Sequence, residues 1–376
     1  MTSDTEFDPI KPYEGDMVPQ AAERVKDSSE FKEIFSKLSG LPAASLEGLF
    51  KDILTRKDFQ NKVWTPITEY ILKQSSDGVY IDGIGNMKPD RSYLYISNHR
   101  DIILDSAILN RTLQNNRLKT CRNAIGEKLI VNECVTDIIK LASCFIIERK
   151  ISVRELIKSS MLRSRYMRET INEKEDSIWI AEREGRTKNG DDRCQPALLK
   201  MLKMSGHGTI AENLRELNII ITSISYEWEP CDILKVHENY LKRHIGYEKT
   251  KDLDFLAMLT GMKDNKGRIH YSFTPITDAV LSRITAIPSR IEQINALATE
   301  IDLIMHSTYR LWPNNFIAYD LLKKDSKYAD RYSQEEKDAF CTHMQQRIDG
   351  VEGDREELGQ MFLELYENPV INKENI

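Results

Sequence analysis

A histidine flanked by carboxylates stands out in the run Ser97-Asn98-His99-Arg100-Asp101-Ile102-Ile103-Leu104-Asp105-Ser106. Histidine titrates near neutrality, which suits His99 to proton transfer. A carboxylate bonded to one ring nitrogen would fix its tautomer and stabilise the imidazolium. Two such partners are near in sequence, Asp101 and Asp105. At about 100° per residue an ideal helix would carry Asp105 well round from His99, whereas Asp101 is close but free to point elsewhere; both stay candidates. Two later apolar runs also end in charged groups, Cys144–Ile147 before Glu148 and Arg149, and Ser177–Ala181 before Glu184, Gly185 and Arg186. Arginines so placed can hold a phosphate or carboxylate through paired hydrogen bonds.

Other chemistries lack their residues. A kinase catalytic loop needs asparagine seven positions after its histidine, where this chain has Ser106, and there is no Gly-rich phosphate loop. No G-x-S-x-G elbow supports a serine hydrolase, and no H-E-x-x-H or Cys/His cluster supports a metal enzyme.

The elements that must position these groups follow from periodicity. Tyr93–Ile96 reads as a strand running into the histidine motif, and Val79 with Ile81 as a short strand before the turn at Gly83-Ile84-Gly85. Ala124 to Arg149 is helix-like before it passes into the strand Cys144–Ile147. A Ser152/Glu155 capping box then opens a helix towards Thr170. Ser177–Ala181, Leu217–Tyr226 and Ile269–Phe273 complete the strands. Strands separated by helical patterns indicate an α/β fold, a mixed and mostly parallel sheet flanked by helices, whose polar strand ends would share one crevice.

Residues 1–75 form a helical N-terminal region with a loose, disordered start, and 76–280 hold the sheet. A helical extension spans 281–376, with helices opening at Ser289, Ser333 and Asp354; the last stops before Pro369 and frays from Asn372. This extension shows no chemistry. The 376 residues are 40% hydrophobic with net charge -6, enough for a sizeable core and no footprint for nucleic acid. Six scattered cysteines suit reduced thiols, and the acidic N-terminus has no apolar signal core. Residues 129–147 are the most apolar long window, but four polar residues interrupt it, so no transmembrane span is expected. Glu148 to Lys203 holds 14 Lys or Arg against 10 Asp or Glu, a basic stretch in an acidic chain.

Taken in order, these blocks resemble the glycerolipid acyltransferase family, which includes the glycerol-3-phosphate and lysophosphatidic acid acyltransferases. Asn98-His99 with a following aspartate is similar to its Asn-His-x4-Asp block. Phe145 to Arg149 resembles the second block, Arg183-Glu184-Gly185-Arg186-Thr187 the third and Ile220–Ile224 the fourth. Asp105 falls one position later than the family's aspartate, and the third block has its threonine and arginine exchanged.

The resemblance implies acyl transfer from a thioester to the hydroxyl of a glycerol-phosphate or lysophospholipid acceptor in membrane lipid synthesis, with His99 as general base and Asp105 or Asp101 as its partner. Asn98, Arg100, Arg149, Glu184, Gly185 and Arg186 would contact substrate. No metal or resident cofactor is implied; acyl-CoA or an acyl carrier protein would be the donor. The expected location is cytoplasmic, peripheral on the inner face of a membrane. The competing readings are a non-catalytic lipid-binding or scaffold protein on the same fold, or transfer to an amino-acid-containing lipid.

Overall fold

The computed structural model describes residues 4–39, 42–148, 152–246 and 251–376. Seven strands lie in one sheet: β1 (Val79–Asp82), β2 (Leu94–Ser97), β3 (Cys121–Gly126), β4 (Cys144–Ile147), β5 (Ser177–Ala181), β6 (Ile219–Tyr226) and β7 (Ile269–Pro275). Their order is β1-β7-β6-β2-β5-β3-β4. The five strands from β6 to β4 are parallel; β7 runs antiparallel to β6, and β1 follows β7. The sheet is therefore mixed and mostly parallel, with helices on both faces.

Strands buried on two faces must be apolar on both, and β2 is: Tyr95 joins one core, Leu94 and Ile96 the other. The first core is closed by the helices Met17–Asp27, Ser29–Ser39 and Thr65–Ser75, together with α1 (Leu104–Asn115). The second is closed by α2 (Val153–Asn172) and, after α3 (Asp232–Ile245) and α4 (Lys251–Lys263), by α5 (Arg290–Thr308). A third cluster forms where α6 (Pro313–Lys323), α7 (Gln334–Asp349) and α8 (Arg355–Glu374) pack with α3.

Four local expectations are corrected. Residues 121–126, partly expected as helix, form β3. A strand carrying buried Arg122 and Asn123 lacks an apolar signature, and Arg122 is made tolerable there by Asp176 at 2.8 Å and the Tyr166 hydroxyl at 3.0 Å. The expected loose tail is packed from Phe7 onward: Phe7 and Ile10 are buried, and the Ile10 carbonyl accepts from Ile146 on the edge strand β4.

The last helix does not stop at Pro369. The carbonyl of Leu365, which an N–H at 369 would have engaged, lies against Gly190, where a Cβ would sit 2.2 Å from it. Nor does the chain fray at Asn372, which is buried and accepts from Arg193.

Candidate active site

Strand β2 ends at Ser97, and the chain turns at 102–103 into α1. That turn absorbs the extra residue and brings Asp105, in the first turn of α1, back to the histidine. Asp105 Oδ2 lies 2.8 Å from His99 Nδ1. The same oxygen accepts from the backbone N–H of Arg100 at 2.6 Å and of Asp101 at 3.0 Å, while Oδ1 accepts from the Tyr226 hydroxyl at 2.8 Å. The Tyr271 hydroxyl donates to the Asp105 carbonyl. Burial first, and then the Asp105 charge, raises the pKa of both tyrosines well above normal, so each remains a donor.

A carboxylate held by so many donors cannot swing, and the imidazole is fixed with it. With Nδ1 donating to Asp105, the lone pair of the neutral ring sits on Nε2. The ring retains 14% exposure and rests edge-on to Trp179 at 5.5 Å. Ser97, the adjacent hydroxyl, is buried; it donates to the Asn98 carbonyl and accepts from Trp179 Nε1. The arrangement is an Asp–His pair that can take a proton from an incoming group.

Asp101 is not part of that pair. Its Oδ1 accepts from the N–H groups of Ile103 and Leu104, as a helix cap does. Its Oδ2 is buried against α4, where Gly261 leaves so little room that a Cβ would come within 2.1 Å.

Arg100, expected at the substrate, is turned into the protein and is only 1% exposed. Its guanidinium reaches Asp192 at 2.5 Å and Glu229 at 3.2 Å, with the Tyr309 ring at 5.1 Å. Lys235 completes the cluster, donating to Glu229 and to the Arg100 carbonyl. Asn98, also expected at the substrate, is a buried strap. Its amide donates to Asp192 and the Ile224 carbonyl, and its oxygen accepts from the Ile224 N–H, tying β2 to β6.

The loop after β5 is laid along the motif: Glu182 N–H donates to the Ser97 carbonyl and Thr187 N–H to the His99 carbonyl. Glu184 and Gly185 are exposed at its tip, whereas Arg186 is buried with Nη1 lacking any hydrogen-bond partner. Both oxygens of the buried Glu182 carboxyl also lack partners. Burial above all, then Asp192 and Asp302, pushes its pKa well up. Arg149 lies outside the described residues. Among the described residues no three His, Cys, Asp or Glu side chains converge as metal ligands.

Sequence reasoning missed Tyr226, Asp192, Glu229, Lys235 and Tyr309. Tyr226 could have been found as the polar-tipped end of a strand that neighbours β2. The others meet Arg100 only across long stretches of chain and leave no local signal.

Residues 78–227 match the family model described as Acyltransferase. Among solved structures, the chain is similar to the 1-acyl-sn-glycerophosphate (LPA) acyltransferase PlsC from Thermotoga maritima, with TM-score 0.42 and 12% identity over 76% of this chain and 92% of that one. No curated protein matches it. The matched segment holds His99, Asp105, the loop that borders them and Tyr226, and is similar to an acyltransferase domain.

Proposed function

We propose that the protein moves a fatty acyl group from a thioester, acyl-CoA or acyl carrier protein, to the hydroxyl of a glycerol-phosphate or lysophospholipid acceptor in membrane lipid synthesis. The observation that carries this reading is the 2.8 Å contact between His99 and Asp105 inside the acyltransferase segment. The acceptor hydroxyl attacks the thioester carbonyl as its proton passes to His99 Nε2. Asp105 stabilises the imidazolium. The tetrahedral intermediate then collapses, the C–S bond breaks, and the thiolate recovers the proton as free thiol. No protein nucleophile is required.

The two carboxylates near His99 have different roles in this scheme and are separable. Asp105→Asn should lower kcat on the order of 10²–10⁴-fold, because the ring loses its oriented tautomer. Asp101→Ala should leave kcat within a few-fold and instead remove about 0.5–2 kcal/mol of stability at the start of α1. Steady-state kinetics beside urea unfolding would read both. Equal kinetic losses in the two variants would defeat the assignment.

A lipid acceptor has to be reached at a bilayer, and no described helix is long and apolar enough to cross one. We further propose that the first turns of α2 rest on an anionic membrane surface, which places the protein peripherally, on the cytoplasmic inner face. Val153, Leu156 and Ile157 share one helical face and are 75%, 47% and 54% exposed, with Arg154 and Lys158 exposed beside them. This helix follows the carboxyl end of β4, at the same end of the parallel strands as His99.

The test is acyl transfer to a panel of glycerol phosphate, lysophospholipids and an amino-acid-containing lyso-lipid in vesicles, with both donor types and mass-spectrometric readout. Leu156→Glu/Ile157→Glu should reduce sedimentation with anionic vesicles while leaving turnover of detergent-dispersed substrate intact. Failure of every acceptor with either donor would favour a non-catalytic lipid binder. Unchanged sedimentation of the double variant would remove α2 from the docking surface.

A further inference from the structure

The face of β7 opposite Tyr271 opens into a cavity unrelated to the His99 pair. Side chains alternate along a strand, so while Tyr271 reaches Asp105, His270 and Ser272 face the other way. There they form one wall of a cavity of about 820 Å³, closed by the end of α5, the segment 309–311, α6 and the end of α8. A smaller cavity of about 290 Å³ adjoins it, sharing Asp82, His270 and Arg310. The larger volume lies within the range of small-molecule sites.

The charges on its walls are unbalanced. Of the two acids, Asp82 is bonded to His270 Nε2 at 2.9 Å, and Glu374 is engaged by Lys327 and Tyr328. The three cations Arg310, Arg331 and Lys373 have no acidic partner among the described residues. Arg310 lies over the Trp312 ring at 5.4 Å, Arg331 over Phe316 at 4.8 Å, and Lys373 donates only to the Tyr309 carbonyl. All three are exposed at the cavity, and Arg310 lies near enough to Lys373 for their like charges to repel, which a bound anion would offset. His270 is 4% exposed and its Nδ1 is buried without any hydrogen-bond partner. Phe316, Tyr328 and Leu311 supply apolar surface beside these polar groups.

We propose that this cavity binds a phosphate-bearing organic molecule of up to nucleotide size, at a site separate from the catalytic pair. Arg310, Arg331 and Lys373 neutralise the phosphate, and the aromatic side chains cover the organic part. The proposal does not depend on the identity of the acyl acceptor. Such a ligand could be a free nucleotide, the nucleotide portion of coenzyme A, or a phosphorylated lipid precursor, and the probes separate them.

Calorimetric titration of the full chain with ADP, coenzyme A and glycerol 3-phosphate tests it. At least one probe should bind one-to-one. Arg310→Glu/Lys373→Ala should weaken that binding by about 10-fold or more, as should the milder Arg310→Gln/Lys373→Ala, with unchanged thermal melting. His99→Ala should leave the affinity unaltered. Preference for ADP identifies a nucleotide, for coenzyme A the donor's nucleotide portion, and for glycerol 3-phosphate a lipid precursor. No binding by any probe, binding that survives both double substitutions, or binding lost in His99→Ala would each overturn the proposal.

Discussion

His99→Ala is expected to lower kcat for acyl transfer by about 10²- to 10⁴-fold while the protein stays folded. The loss is large because an acceptor hydroxyl is a poor nucleophile until its proton is removed, and no neighbouring group can take over. Asp105 is wholly buried and already accepts from two backbone N–H groups and Tyr226, and Ser97 is bonded on both sides. The fold should survive for the same reason: Asp105 keeps three of its donors when the imidazole goes. Unfolding by urea should therefore move little, and near-wild-type turnover by a well-folded His99→Ala protein would refute the general-base mechanism.

Arg100→Ala should behave in the opposite way, losing about 3–5 kcal/mol of stability because Asp192 and Glu229 would be left as buried charges short of a counter-ion. Lys235 still neutralises part of Glu229 at 2.5 Å, but its ammonium is committed there and to the Arg100 carbonyl. Asp192 keeps the Asn98 amide and loses its ion pair. Arg100→Lys should recover only part of the loss, since one ammonium cannot reproduce a guanidinium fork spanning two carboxylates. Urea unfolding gives the free energies. A variant that unfolds like wild type but binds substrate poorly would restore Arg100 to the substrate and contradict the buried cluster.

The contrast between these two residues shows what the sequence could and could not convey. The histidine motif, the strand before it and the capping boxes at Ser152, Ser289 and Ser333 are local patterns, and the structure places strand and helix ends there. Arg100 sits beside His99 in the same polar cluster, yet its role is set by Asp192, Glu229 and Tyr309, far away in the chain. β3 was hidden for a related reason: its buried Arg122 reads as a surface residue until Asp176 and Tyr166 are known to surround it. Between Asp101 and Asp105, spacing along an ideal helix was a poor guide because the helix starts only at Leu104, after a turn at 102–103. The C-terminal helices carry no motif, but Tyr309 and the Tyr366 hydroxyl, which accepts from the Glu229 N–H, lie directly against the cluster beneath the motif.

The strand order also sets a timetable. β2 lies near the middle of the sheet, but its neighbours β5 and β6 are encoded about 80 and 120 residues after it ends. At roughly 5–20 residues per second of synthesis, an apolar strand with two open edges waits on the order of 4–16 s for its first native neighbour. The ionic cluster beneath the histidine closes later still, once Tyr366 has left the ribosome. During that interval the stretch most exposed to mispairing is the one that delivers His99, so a nascent chain is most in need of chaperone cover where its chemistry will reside.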